Sequence, residues 1–162
     1  MPSHHPRFFL DTEFAEEGNT LTLISIGIAA EDGRTYYAEN SHVNRAALSP
    51  WLWRNVVPQL SGDGLPPSII AEQVREFCGV SPSFWAYYAS YDWVVFCQLF
   101  GGMLRLPPRW PKFCMDLKQY MVAKRIPELP KQLSQEHHAL NDAVWLRDSY
   151  RFVYEQKREE GT

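Results

Sequence analysis

Residues 7–14 read Arg-Phe-Phe-Leu-Asp-Thr-Glu-Phe, a short apolar run near the amino terminus that closes on two acids. A run this short and this apolar predicts the first strand of a buried sheet, over Phe8–Thr12. Side chains alternate along a strand, so Asp11 and Glu13 share one face and Thr12 takes the other. Two carboxylates side by side at the edge of a core repel each other and lose hydration. The fold must bring positive charge to them, and no Lys or Arg lies between Phe8 and Phe14.

The remaining elements alternate in type. Leu21–Ala30 and Arg34–Glu39 read as strands joined by Glu31-Asp32-Gly33, and Asp-Gly between apolar runs signals a hairpin. Ser49-Pro50 opens a helix ending near Pro58, and Ser68 is expected to cap an amphipathic helix that stops at Gly79. Phe84–Ala89 reads as a central strand, Trp93–Phe100 as a helix stopped by Gly101-Gly102, Lys112–Met115 as a short strand and Leu117–Arg125 as a helix. From His138 to about Gln156, residues Ala139, Ala143, Leu146, Tyr150 and Val153 recur at spacings of 4, 3, 4 and 3, the apolar stripe of a helix packed on a sheet. This order predicts an α/β fold with a mixed sheet and helices on its faces.

At 162 residues, 45% of them hydrophobic, the chain is read as one domain spanning 1–162, with residues 1–6 a tail free to be disordered. No run of 18 apolar residues and no signal-like amino terminus occurs, so a soluble, cytoplasmic protein without membrane contact is expected. Cys78, Cys97 and Cys114 lie 19 and 17 residues apart, which argues against a disulfide framework and against a zinc site. The net charge of −3 is uneven: seven basic residues against Asp116 and Glu128 fall within 105–131. Such a stretch suits an anionic partner or a solvated face.

Two further acids stand at informative places. Asp92 follows the strand Phe84–Ala89 and precedes an apolar helix, and Asp142 borders the buried stripe of the last helix. Each alone has a structural explanation: Asp92 as a helix N-cap, Asp142 as an edge residue reaching water, Asp11 as the start of a turn. Together, Asp11, Glu13, Asp92 and Asp142 offer four carboxylates at strand ends and helix flanks. Four acids in one cleft call for cations, and an all-oxygen ligand set selects Mg²⁺ or Mn²⁺ over zinc.

Asp11-Thr12-Glu13, Asp92, and His137-His138-Ala139-Leu140-Asn141-Asp142 resemble, in order and in context, the motifs of the DEDDh-type 3′–5′ exonucleases. The stretches DTEF, LISIGIAAEDGRTYYA, YDW followed by CQLFG, and LPPRWPKF are similar to the small actinobacterial polyadenylate-specific 3′-exoribonucleases. The resemblance spans roughly residues 7–155. It implies a ribonuclease-H-like fold, a mixed five- or six-stranded sheet of order 3-2-1-4-5 with helices on both faces.

The resemblance also implies roles. Asp11, Glu13, Asp92 and Asp142 would hold two Mg²⁺ or Mn²⁺ ions, and His137 would be the general base of a phosphodiester hydrolysis. Nucleoside 5′-monophosphates would leave the 3′ end of single-stranded RNA or an RNA 3′ overhang. A homodimer is implied as well. On a regular helix His138, four residues before Asp142, shares its face, so geometry favours His138 where the family pattern selects His137. Thr12 and Phe14 are the candidate substrate contacts, Thr12 through a backbone group beside the terminal ribose and Phe14 by stacking on a base. His138 is expected at the surface. Three other readings stand beside this one: an exonuclease for DNA or very short oligonucleotides, a nucleic-acid-binding domain without activity, and an endonuclease on the same fold. Binding alone requires neither His137 nor clustered acids.

Overall fold

Among residues 5–126 and 128–160, which the computed structural model describes, five strands form one sheet. β1 (Arg7–Glu17) and β2 (Thr20–Ala30) make an antiparallel hairpin that turns at Gly18, whose φ of 59° suits a residue without Cβ. β3 (Thr35–Glu39) adds antiparallel to β2. β4 (Ser83–Ala86) adds parallel to β1, and β5 (Met115–Asp116) parallel to β4. The order is β3-β2-β1-β4-β5, as expected from the resemblance.

Each face of the sheet is covered. On one, Phe8, Leu10, Ile26 and Ile28 pack with Ile70 and Val74 of α2 (Pro67–Cys78) and with Val95 and Phe96 of α3 (Ala89–Leu99). On the other, Phe9, Ala29 and Trp85 pack with Leu117 and Met121 of α4 (Leu117–Lys124) and with α5 (Ala139–Glu160). The α5 side chains there are Ala143, Leu146, Tyr150 and Val153, the stripe the spacing identifies. Even-numbered β1 residues thus face α2 and α3, and odd-numbered ones, Asp11 and Glu13 included, face α5.

A β-bulge interrupts this regularity beside the acids. Glu13 pairs with Ser25 but Phe14 pairs with Leu23, which leaves Ile24 as the extra residue of β2. Ile24 then packs with Ala15, Leu48, Val56 and Leu52 of α1 (Pro50–Asn55), a third apolar cluster that seats α1 next to the end of β1.

Several boundaries depart from expectation. β1 runs on to Glu17 because the hairpin pairs its polar end with Leu21 and Thr20. α2 starts from Pro66, with Pro67 in its first turn, rather than from a Ser68 cap. β4 ends at Ala86, and Tyr88 takes a left-handed conformation (φ 57°, ψ 52°) that starts α3 at Ala89, four residues early. Asp92 therefore sits within the first turn of a helix and is not its cap. β5 falls at Met115–Asp116 rather than Lys112–Met115. Of the amino-terminal tail, residues 1–4 lie outside the described residues, while His5 Nδ1 lies 3.1 Å from the Ser81 carbonyl oxygen. No helix among the described residues is long and apolar enough to cross a membrane. Cys78, Cys97 and Cys114 are free thiols.

Candidate active site

β4 pairs with β1 only along Arg7–Phe9, so the β1 edge beyond Leu10 is open on that side. α3 fills the opening with its first turn. The Thr12 amide donates to Asp92 Oδ1 at 2.9 Å and the Thr12 hydroxyl donates to the same oxygen at 2.6 Å. Asp92, only 7% exposed, is thereby tied to the strand that carries Asp11 and Glu13, although it comes from the opposite face. Its second oxygen stays out of this pair of bonds. Thr12, proposed from sequence as a backbone contact to ribose, lines the cleft, but its amide and hydroxyl are both committed to Asp92.

α5 delivers the fourth acid from the other face. Gly27 pairs with Asp11 across the hairpin, and a methyl group there would overlap the main chain of Ala139 and Leu140. The bare glycine lets the first turn of α5 rest directly on β2, which brings Asp142 beside Asp11 and Glu13. Asp142 Oδ1 accepts from Gln132 Nε2 at 2.6 Å, and Oδ2 accepts from the His137 amide at 3.1 Å. Ligand atoms of Glu13, His137 and Asp142 all lie within 4.8 Å of one another.

The electrostatics record the crowding. Burial, then the charges of Asp92, Glu13 and Asp142, hold the Asp11 carboxyl well above the usual range. Glu13 is pushed up to about 8 by burial and by Asp142 and Asp92. Burial lifts Asp92 to about 6 against the two Thr12 hydrogen bonds, and burial raises Asp142 against those from Gln132 and His137. Four carboxylates so arranged favour a proton or a cation over four bare charges. Oxygen donors of this kind fit hard divalent ions.

The two histidines separate cleanly. His137 lies before α5 in a left-handed conformation (φ 62°) and lines the cleft with Asp11, Glu13 and Asp92. His138 is half-buried instead of at the surface, stacked on Tyr37 with ring centroids 4.6 Å apart. The helix begins at Ala139, so the i, i+4 argument that favoured His138 does not hold.

The cleft, about 810 Å³, is walled by Phe14, Tyr91, Tyr88 and Val122 beyond the acids. Phe14 meets Tyr91 edge to face at 5.8 Å, which leaves aromatic surface at the mouth. Of the basic stretch 105–131, Lys118 lines this cleft and Lys131 an adjoining groove, whereas Arg109 lines a separate pocket and Lys112 binds the Leu106 carbonyl. Asp116 also lines the cleft, but it caps α4 and accepts from the amides of Lys118, Gln119 and Ala89. Gln132, Gly27 and the side chain of Thr12 are the supporting residues that the motifs alone did not identify.

A family model described as the 3′–5′ exoribonuclease Rv2179c-like domain matches residues 6–154, a span that holds every one of these acids and His137. The chain belongs to the Rv2179c-like 3′–5′ exoribonuclease family. It is 38% identical over 145 residues to the 3′–5′ exoribonuclease Rv2179c of Mycobacterium tuberculosis H37Rv, covering 85% of this chain and 86% of that one. The 3′–5′ exoribonuclease MT2234.1 of strain CDC 1551 matches with the same identity and coverage. Among solved structures, the RNase domain of yeast Pop2 superposes with a TM-score of 0.59 at 12% identity, covering 93% of this chain and 78% of that one. A chain of the yeast NOT1 MIF4G–CAF1 co-crystal superposes with a TM-score of 0.63 at 11% identity, covering 96% and 81%. These two likenesses bear on the fold, which is ribonuclease-H-like. The Rv2179c-like chain is a 3′–5′ exoribonuclease, a phosphodiester hydrolase.

Proposed function

We propose that this exoribonuclease uses Mg²⁺ or Mn²⁺, two ions per site, to release nucleoside 5′-monophosphates one at a time from single-stranded 3′ ends of RNA. The convergence of Asp11, Glu13, Asp92 and Asp142 from two strand positions and two helices carries this reading; burial raises all four carboxyls, and the charges of the other acids add to the rise at Asp11 and Glu13. Asp11, Glu13, Asp92 and Asp142 would hold the ions. When bound, such ions neutralise the scissile phosphate and lower the pKa of water.

The chain's own groups do the rest. His137, on the loop before α5, takes a proton from the attacking water as general base. Thr12 fixes Asp92 with two hydrogen bonds, and Gln132 and the His137 amide each occupy one oxygen of Asp142. Phe14, with Tyr91 behind it, offers a face to the terminal base, and base stacking contributes about 1–3 kcal/mol whatever the sequence. Lys118 and Lys131 face the phosphates from the cleft and its adjoining groove.

The experiment is a ladder. RNA and DNA oligonucleotides labelled at the 5′ end, single-stranded or with a paired 3′ end, are incubated with chelated protein and with added Mg²⁺. The expected outcome is Mg²⁺-dependent shortening of RNA by single nucleotides, with stalling at paired regions. Undiminished activity in chelator would overturn the metal requirement, and equal rates on DNA would remove the RNA preference. A second reading of His137 rests on its distance to Glu13 and Asp142: the imidazole as a metal ligand.

A further inference from the structure

His137 is held by its main chain. A residue with a Cβ resists φ of 62°, so something must keep it there. Its amide donates to Asp142 Oδ2 at 3.1 Å, and its carbonyl accepts from Gln59 Nε2 at 3.0 Å. The same Gln59 nitrogen lies 2.9 Å from the Glu136 carbonyl and 2.7 Å from the Asn55 carbonyl, so its two N–H donors are shared among three acceptors. Three carbonyl oxygens around one side-chain end can be met only by the amide NH₂, which settles its orientation.

Gln59 closes the 3₁₀ turn Val57–Gln59 that follows α1, 78 residues from His137 in sequence. Among the described residues, the other side-chain hydrogen bonds that reach this loop from outside it come from α5: Trp145 to the Pro130 carbonyl, Asn141 to the Gln135 carbonyl, Asp142 to Gln132. Those ties move with the helix. Gln59 reaches from the opposite wall, where Trp51 of α1 also meets the His137 ring edge to face at 4.9 Å.

We infer that Gln59 is a positioning residue for catalysis, its amide bridging the Glu136 and His137 carbonyls so that the His137 ring stays turned toward Glu13 and Asp142. The inference rests on His137 acting as the base. Without the bridge, His137 can relax to negative φ, and its ring turns away from the cluster. A misplacement of about 1 Å at a reacting group lowers rates by about 10²-fold.

Steady-state rates of the Mg²⁺-loaded full chain on a short single-stranded oligoribonucleotide test this, with wild type, Gln59→Glu, Gln59→Met and Gln59→Lys. Glu has the size of Gln but turns an acceptor toward three carbonyls, Met removes the donor, and Lys keeps one. Gln59→Glu and Gln59→Met are expected to lower kcat by about 10- to 100-fold with KM little changed, and Gln59→Lys to restore most of it. In a His137→Ala background the Gln59 changes are expected to have no further effect, because the group they position is gone. A lowered melting temperature with wild-type kcat in both Gln59→Glu and Gln59→Met would make Gln59 structural only and overturn the inference. So would an undiminished Gln59 effect in the His137→Ala background. If His137→Ala alone keeps wild-type kcat, the base reading itself falls, and this inference with it.

Discussion

Replacing Glu13 by Gln removes one charge from the carboxylate cluster with almost no change in shape, and the effect on the metal-free protein can be worked out. The Glu13 carboxyl rises from 4.5 to about 8 in the folded chain, with burial first among the causes and the Asp142 and Asp92 charges next. Between these values the folded state binds more protons than the unfolded one, so stability falls as pH rises through this window. Linkage puts the loss at about 3 kcal/mol by pH 7 and under about 1 kcal/mol at pH 5. Glu13 is 8% exposed, so solvent screens little of it, but its neighbours share the repulsion and the figure is a ceiling. Glu13→Gln, neutral at every pH, escapes this loss and can donate to the adjacent carboxylates. In chelator at pH 7 its melting temperature is expected to exceed wild type by up to roughly 6–12 °C, from about 2–4 °C per kcal/mol for a chain of this size. At pH 5 the gap narrows to a few degrees. Added Mg²⁺ raises the wild-type melting temperature and largely spares the variant, because an ion that binds only the folded state stabilises it. Thermal melts at both pH values, with and without Mg²⁺, decide the matter. A variant less stable than wild type at pH 7 in chelator, or a gain equal at both pH values, would refute the cost assigned to a buried, charged Glu13.

The other expectations concern how α5 meets the site. His137→Ala lowers turnover by about 100-fold or more, the scale of a lost general base, while Mg²⁺ affinity by calorimetry stays near wild type; a large loss of that affinity would make the imidazole a ligand. His138→Ala keeps turnover and costs about 1 kcal/mol in urea melts through the lost Tyr37 stack, and a reversal of the two results would reassign the base. Gly27→Ala forces a methyl group into the main chain of Ala139 and Leu140. It is expected to cost about 1–3 kcal/mol in stability and to lower turnover with it, whereas wild-type activity would show that α5 need not rest on β2 there.

The elements that read well from sequence carry long periodic signals. The α5 stripe and the Asp-Gly hairpin match the structure almost residue for residue, because period and turn chemistry are local. The misread boundaries have causes outside any local window. Phe14-Ala15-Glu16-Glu17 has a polar end, yet it is strand because β2 lies beside it. α3 starts early because Tyr88 adopts a left-handed conformation that tyrosine rarely takes, and nothing in Tyr87-Tyr88-Ala89 announces it. The two adjacent histidines differ in the same way: φ of 62° at His137 ends the loop there and starts the helix after His138.

The acids were legible for the reason that makes them costly: a carboxylate on an apolar strand violates what burial permits, so it demands an explanation. The residues that support them break no such rule. Gln59, Gln132, Thr12 and Gly27 are ordinary in turns, loops and strands; Gln132 acts on Asp142 of the helix that follows it, and the other three matter through a partner far along the chain. Thr12 reaches Asp92 over 80 residues and Gln59 reaches His137 over 78. A sequence therefore exposes the charged members of such a site and hides the neutral ones that aim them. The alternation of β1 explains why both kinds are needed. Asp11 and Glu13 face α5, so Asp92 on the α3 side can join them only if the odd residue out, Thr12, draws it to the strand edge from the opposite face.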